Sequence, residues 1–337
     1  MQSSIEFVEI SDYAYAVARI RALETKLIDG KDYSTLIAAP EERFFPLFTE
    51  IAGIKSDGPP LLSALVKSLE ESFTESLYLV KSLILQDEVK RLISLKYDYE
   101  LLKLIIKEAR GRKIAIPTEI SKRSNYSYPL LKSLLESGKA LDTGSVIFET
   151  YNSLKNARDL TGKRIDNSCD NSYYSELFQI LEEYGNGFLT EYFTREVDAN
   201  NIMTALRLKV QGAKRTALRE RFLPFGIIDI SFLELGFDLN LEGFSSRIVF
   251  SPLSAALNNT GKTEYEEAQA AEVEKLLEEE LIKYLKESLF VTFGVEPLLT
   301  YLWVRDAEVK NLRTVLLSKS AGVSPEEIKK HIRGFYG

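Results

Sequence analysis

Asp198-x-x-Asn201-Ile202-x-x-x-Leu206-Arg207-x-Lys209-x-x-Gly212 returns with the same spacing as Glu308-x-x-Asn311-Leu312-x-x-x-Leu316-Leu317-x-Lys319-x-x-Gly322. A weaker copy, Asp98-x-x-Leu101-Leu102-x-x-x-Ile106-Lys107, closes at Gly111, and a fourth candidate runs from Tyr13 through Arg19-Ile20 to Gly30. The glycines stand 81, 101 and 110 residues apart. One helix repeated at such intervals points to a chain built by copying a helical unit.

The phrase has the grammar of a helix. Ile202, Leu206 and Val210 stack on one face, as do Val309, Leu312 and Leu316. An acid near the start and a base near the end suit the helix dipole, and the closing glycine suits a left-handed cap. The asparagine beside the first apolar position is the exception, because Asn is a poor residue for a helix interior. Asn201 and Asn311 are therefore expected to hydrogen-bond a neighbouring element. Two readings stand: a polar pin fixing one unit on the next, or direct contact with a partner protein. Arg19, Asn201, Arg207, Lys209, Asn311, Arg313 and Lys319 are the candidate inter-unit or partner contacts.

At 337 residues the chain has room for one large domain or for two to three smaller units with real cores. Hydrophobic residues at 45% and charged residues at 28% favour a soluble globular class. Leu, Glu, Lys and Ala dominate the patterned segments, which favours helix. The formal charge of −7 argues against a nucleic-acid binder, since phosphate neutralisation needs a cationic face. Cys169 is the sole cysteine, which excludes an internal disulfide and fits a reducing compartment. The stretch from Met1 to Ser11 lacks the basic cluster and apolar run of a secretory signal. The best membrane-span candidate, Ser288 to Val304, is broken by Glu296-Pro297.

The reading is an all-α fold of three helical units, at about 1–111, 112–215 and 216–337, each ending near a motif helix. A stripe of Tyr13, Val17, Ile20 and Leu27 marks helix over 12–29, and leucines three to four apart continue helix through 61–109. Gly162 to Ser172, rich in Asn, Asp and Ser, reads as a polar loop before helix from Tyr173 to Val210. Pro224-Phe225-Gly226 is a turn, Asp229 to Leu235 a short helix, and Ser245 to Pro252 a short strand or an irregular link. Glu264 to Glu287 is an acidic helix with nine Glu against three Lys. Ser324-Pro325-Glu326-Glu327 reads as a capping box.

Little in the chain points to catalysis. His331 is the only histidine and sits among Lys329, Lys330 and Arg333, where a surface role near a helix C-terminus accounts for it. No motif accompanies Cys169. Thr260-Gly261-Lys262-Thr263 matches the tail of a phosphate-binding loop, but the motif needs a glycine where Ala256 stands. No catalytic residue, cofactor or metal ligand is assigned. Charge is more suggestive: Arg195 to Arg221 holds seven basic residues against three acidic, and opposed patches of this kind would steer docking.

The run Tyr301-Leu302-Trp303-Val304-Arg305-Asp306-Ala307-Glu308-Val309-Lys310-Asn311-Leu312-Arg313, continued through Ser320-Ala321-Gly322-Val323-Ser324-Pro325-Glu326-Glu327-Ile328, closely resembles the C subunits of archaeal and bacterial V-type (A-type) ATPases. That family is the counterpart of the d subunits of vacuolar enzymes. The opening Tyr13-Ala14-Tyr15-Ala16-Val17-Ala18-Arg19-Ile20-Arg21-Ala22-Leu23, the pair Asn201-Ile202 and the turn Leu223-Pro224-Phe225-Gly226 are similar to the family's start and middle. Leu101 departs from the pattern, standing where asparagine is expected. The resemblance implies a funnel of three similar helical units with pseudo-threefold symmetry. It further implies a non-enzymatic rotor component that links the central stalk to the membrane proteolipid ring, peripheral on the cytoplasmic side, and transmits torque. A helical-repeat interaction scaffold unrelated to any rotary machine is the alternative, and an enzyme using the Gly261-Lys262-Thr263 loop is a third.

Overall fold

The leucine periodicity becomes helix throughout: among the described residues every regular element is an α-helix or a short 3-10 turn. The computed structural model describes residues 10–54, 61–138, 145–158, 160–258, 270–334 and 336. The chain opens with α1 (Ala14–Glu24), α2 (Gly30–Ala38), α3 (Glu41–Ile51), α4 (Leu62–Leu83) and α5 (Asp87–Ala109). Then follow α6 (Thr118–Arg123), α7 (Tyr128–Ser137), α8 (Val146–Lys155), α9 (Gly162–Tyr184) and α10 (Gly187–Val210). The last third holds α11 (Ile230–Gly236), α12 (Leu241–Arg247), α13 (Ser254–Asn258), α14 (Ala270–Leu285), α15 (Glu296–Ser320) and α16 (Pro325–His331). No described helix is long and apolar enough to cross a membrane.

The chain forms two compact units. The terminal unit joins Met1–Leu85 with Glu278–Gly337, and the central unit is Gln86–Leu277. In the terminal unit α4 lies along α15, and α1 packs on α15 as well. In the central unit α5 lies along α9, with α8 and α10 also packed on α9. The motif helices α5, α10 and α15 are buried around most of their circumference, α15 continuously from Pro297 to Leu302. A helix buried on all sides is a core element rather than a surface one. Leu312 and Leu316, 1% and 0% exposed, sit at the centre of that packing.

All three motif helices stop in the same way. Gly111, Gly212 and Gly322 take φ of 80°, 65° and 72°, the left-handed region that favours glycine. Each glycine N–H donates three residues back, and the following N–H donates five back, as in Arg112 N to Lys107 O, Ala213 N to Leu208 O and Val323 N to Ser318 O. That pair of bonds is a Schellman cap, and it satisfies carbonyls the helix end leaves open. Gly30 differs from the expectation: it begins α2 instead of ending a helix, and α1 already stops at Glu24. Asp29 causes this, accepting from the N–H groups of Lys31 and Asp32 as an N-cap.

Other expectations need correction. Residues 162–172 form the first three turns of α9, not a loop. Ile165 and Cys169 supply a buried stripe, Thr161 caps Arg164 N, and the polar residues find partners, Asp166 with Lys107 and Asp170 with Lys103. Cys169 is thus fully buried in a helix, and burial pushes its thiol up to about 12. Ser245 to Pro252 contains no strand; it spans the end of α12 and a turn. Only half of the capping box forms: Ser324 Oγ accepts from Glu327 N at 3.3 Å, while the Glu327 carboxylate turns to Lys330 and His331. The Thr260–Thr263 stretch lies outside the described residues.

Candidate functional site

The polar residues of the repeated phrase converge on backbone. Asn201 is 2% exposed; its Nδ2 donates to Leu223 O at 2.9 Å and its Oδ1 accepts from Leu223 N at 3.0 Å. Asn311 is also 2% exposed and repeats the arrangement on Arg333, with Nδ2 to the carbonyl at 3.3 Å and Oδ1 from the N–H at 2.9 Å. Both partners lie 22 residues downstream and in the same compact unit as the asparagine. A carboxamide presents one donor and one acceptor side by side, as a peptide group does, so it can take both backbone groups of one residue. Aspartate or leucine in its place would strand at least one of them.

The acid one turn earlier holds a second point. Asp198 accepts from Ile227 N and Ile228 N at 3.3 and 3.1 Å, and Glu308 accepts from Ile28 N at 2.7 Å. Asp98 accepts from Ser124 Oγ, Asn125 N and Asn125 Nδ2. Where Leu101 replaces the asparagine, Asn125 approaches from the loop side, its Nδ2 also reaching Arg91 O at 3.1 Å. Burial pushes Asp98 and Asp198 each up to about 6, opposed by the hydrogen bonds they accept. Gly226 is required by this geometry: a Cβ there would stand 1.9 Å from Asp198 Oδ1.

The bases at the helix ends cap carbonyls. Lys319 Nζ donates to Ile37 O at 2.9 Å and Ala39 O at 2.7 Å, at the end of α2, and lies 5.6 Å from the centre of the Phe44 ring. Lys209 Nζ donates to Leu239 O, just beyond α11. Arg110 does similar work at the end of α8, its closest bond reaching Ala157 O at 2.5 Å. Arg207 and Arg313 are exposed and make ion pairs with Glu274 at 2.6 Å and Glu70 at 3.5 Å. Lys107 pairs with Asp166 at 2.9 Å in the same style. Exposed pairs of this kind are worth about 0–1 kcal/mol each. Arg19 is exposed on α1 beside Tyr15 and takes no part in these contacts.

A second repeat, hidden in the sequence, emerges from those clasps. Ile28-Asp29 and Ile228-Asp229 each place a clasped N–H before a capping aspartate, α2 matching α11 and α3 matching α12 at an offset of 200 residues. Tyr33 and Leu233, Ile37 and Phe237, Phe44 and Phe244, and Phe48 and Ile248 are all buried in register. Only the type of residue is kept at most positions, which hides the copy from inspection. The surfaces differ. Phe232, Leu235, Val249 and Phe250 are 38%, 58%, 74% and 47% exposed, with the two phenyl rings 4.9 Å apart. Asp32, Thr35, Thr49 and Glu50 hold the matching places. Among the described residues no group of three or more His, Cys, Asp or Glu is placed to hold a metal ion.

A family model described as the ATP synthase (C/AC39) subunit matches residues 16–331. The C subunit of the A-type ATP synthase of Methanococcoides burtonii is 25% identical to this chain, over 96% of it and 94% of the relative. The corresponding A-type ATP synthase protein of Thermococcus kodakarensis is 24% identical, over 95% of this chain and 90% of its own length. That of Methanosarcina acetivorans is 24% identical over 96% and 93%. With its motif helices, their shared caps and nearly its whole length covered, the chain belongs to the ATP synthase (C/AC39) subunit family.

Proposed function

We propose that this chain is a non-catalytic rotor subunit of an A/V-type ATP synthase, linking the central stalk to the membrane proteolipid ring and transmitting torque between them. The observation that carries this reading is the repeated clasp: the polar side chains of the repeated phrase are spent on holding backbone, with Asn201 on Leu223 and Asn311 on Arg333. Such bonds make short connecting segments stiff, and a torque-transmitting part needs stiffness. Asn201, Asn311, Lys209 and Lys319 act in this reading as pins within the subunit, and Arg19, Arg207 and Arg313 lie on its surface for assembly.

The three units, 1–111, 112–215 and 216–337, close about a pseudo-threefold axis as a funnel. Support comes from the recurrence of one pairing: a base on the motif helix meets an acid on a neighbouring long helix, as Lys107–Asp166, Arg207–Glu274 and Arg313–Glu70. The exposed Phe232–Phe250 face supports contact with a partner subunit, since the matching repeat folds with polar residues there. Expression of the tagged chain in its native host tests the function. Co-purification of stalk and ring subunits from membranes, with release by stripping rather than by detergent alone, is expected. Recovery of the chain solely as a free monomer would overturn the reading.

A further inference from the structure

In the central unit a cavity of about 670 Å³ opens beside the first turns of α9. Lys163, Arg164 and Arg221 line it, with Glu220 as the single carboxylate on its wall. Several cations of this unit are neutralised: Lys103 by Asp170, Lys107 by Asp166, Arg207 by Glu274 and Arg219 by Glu234. The side chains of Lys163 and Arg221 have no hydrogen-bond or ion-pair partner among the described residues. Arg221 is half-buried and lines the cavity with its charge unpaired, where an incoming anion can meet it. It also lines an adjoining cleft of about 410 Å³ that continues past Tyr173, Tyr174 and Met203.

The floor shows what kind of anion fits. Asn167 Nδ2 donates to Glu220 O at 3.1 Å and Asn171 Nδ2 donates to Asn167 O at 3.0 Å. Each amide keeps its oxygen and its second N–H, so the floor both accepts and donates. Inorganic phosphate offers chiefly acceptors and leaves the amide oxygens unmet. A peptide offers N–H and carbonyl groups together, with carboxylates for the rim. A flat headgroup layer does not enter a recess beside a helix, and a long strand would run past the three cations of this cavity, whereas a short segment can end within it.

We propose that this cleft is a docking groove for an acidic peptide segment of a partner subunit, whose carboxylates meet Lys163, Arg164 and Arg221 while its backbone meets Asn167 and Asn171. The proposal rests on the reading of the chain as an assembly subunit, but it is tested on the isolated full chain, apart from the co-purification experiment. Fluorescein-labelled octa-glutamate is titrated by anisotropy at low and at raised salt. Binding that weakens with salt is expected, and about tenfold weaker binding for the Lys163→Glu/Arg221→Glu variant. Lys329→Glu/Lys330→Glu, on α16, makes the same charge change and is expected to shift affinity less than about twofold. Circular dichroism checks that both variants fold. Equal loss in the two variants, or no binding to wild type, would overturn the groove. Displacement of the peptide by inorganic phosphate at matched charge, or Arg221-dependent pelleting with phosphatidylserine vesicles but no peptide binding, would overturn the peptide assignment. Normal co-purification beside a failed titration would remove this groove alone.

Discussion

Asn201 and Asn311 show how much one polar atom pair decides. Leucine at either position would strand the N–H and carbonyl of Leu223 or Arg333, at roughly 1–3 kcal/mol for each unsatisfied group. Asn201→Leu and Asn311→Leu are thus expected to lower stability by several times more than a surface change, as read by urea melts; near-neutral outcomes would contradict the clasp. The paired aspartates give a pH signature. Burial raises Asp98 and Asp198 from the ordinary 3.8 to about 6, so the folded chain binds protons more tightly than the unfolded chain between those values. Their contribution is fully present in acid and is lost as pH rises through about 6. Asp198→Asn removes one such group, and the stability of wild type relative to that variant is expected to fall by of order 2 kcal/mol from pH 4 to pH 7. A difference that is flat or rises with pH would refute the assignment.

The helices α5, α10 and α15 were legible as elements because their apolar spacing and terminal glycines leave few alternatives. Leu312 and Leu316 lie in the α15 core, where truncation to alanine is expected to cost about 2–5 kcal/mol each, measured by thermal or urea unfolding. The first turns of α9 read as a loop for a physical reason. Asn, Asp and Ser favour loops when their side chains compete for local backbone, yet here Asp166 and Asp170 are occupied by lysines of α5. Tertiary ion pairs removed the competition, and Ile165 and Cys169 then set the helical face. The α2–α3 and α11–α12 copies are hidden in the sequence because burial constrains apolar character and volume more than identity.

For the whole molecule, folding and assembly are predicted to separate. Arg313→Glu exchanges an exposed 3.5 Å ion pair with Glu70 for a repulsion and should cost only about 0–1 kcal/mol of stability. Phe232→Ser/Phe250→Ser should likewise leave the melting temperature near wild type, since the matching repeat carries polar residues there. Both variants are expected to reduce recovery of partner subunits in the membrane pull-down. Loss of stability equal to that of Leu312→Ala would instead place these residues in the fold. The sequence by itself determined the helical class, the motif helices, their caps and the family, because these follow from periodicity and local backbone chemistry along a single segment. Only the tertiary structure decided where Asn201, Asn311 and the buried acids point, which bases are neutralised, and that Arg221 is not. Those outcomes depend on which carbonyl, N–H or charge another segment brings within hydrogen-bond reach, and that juxtaposition is set by packing between residues far apart in the chain.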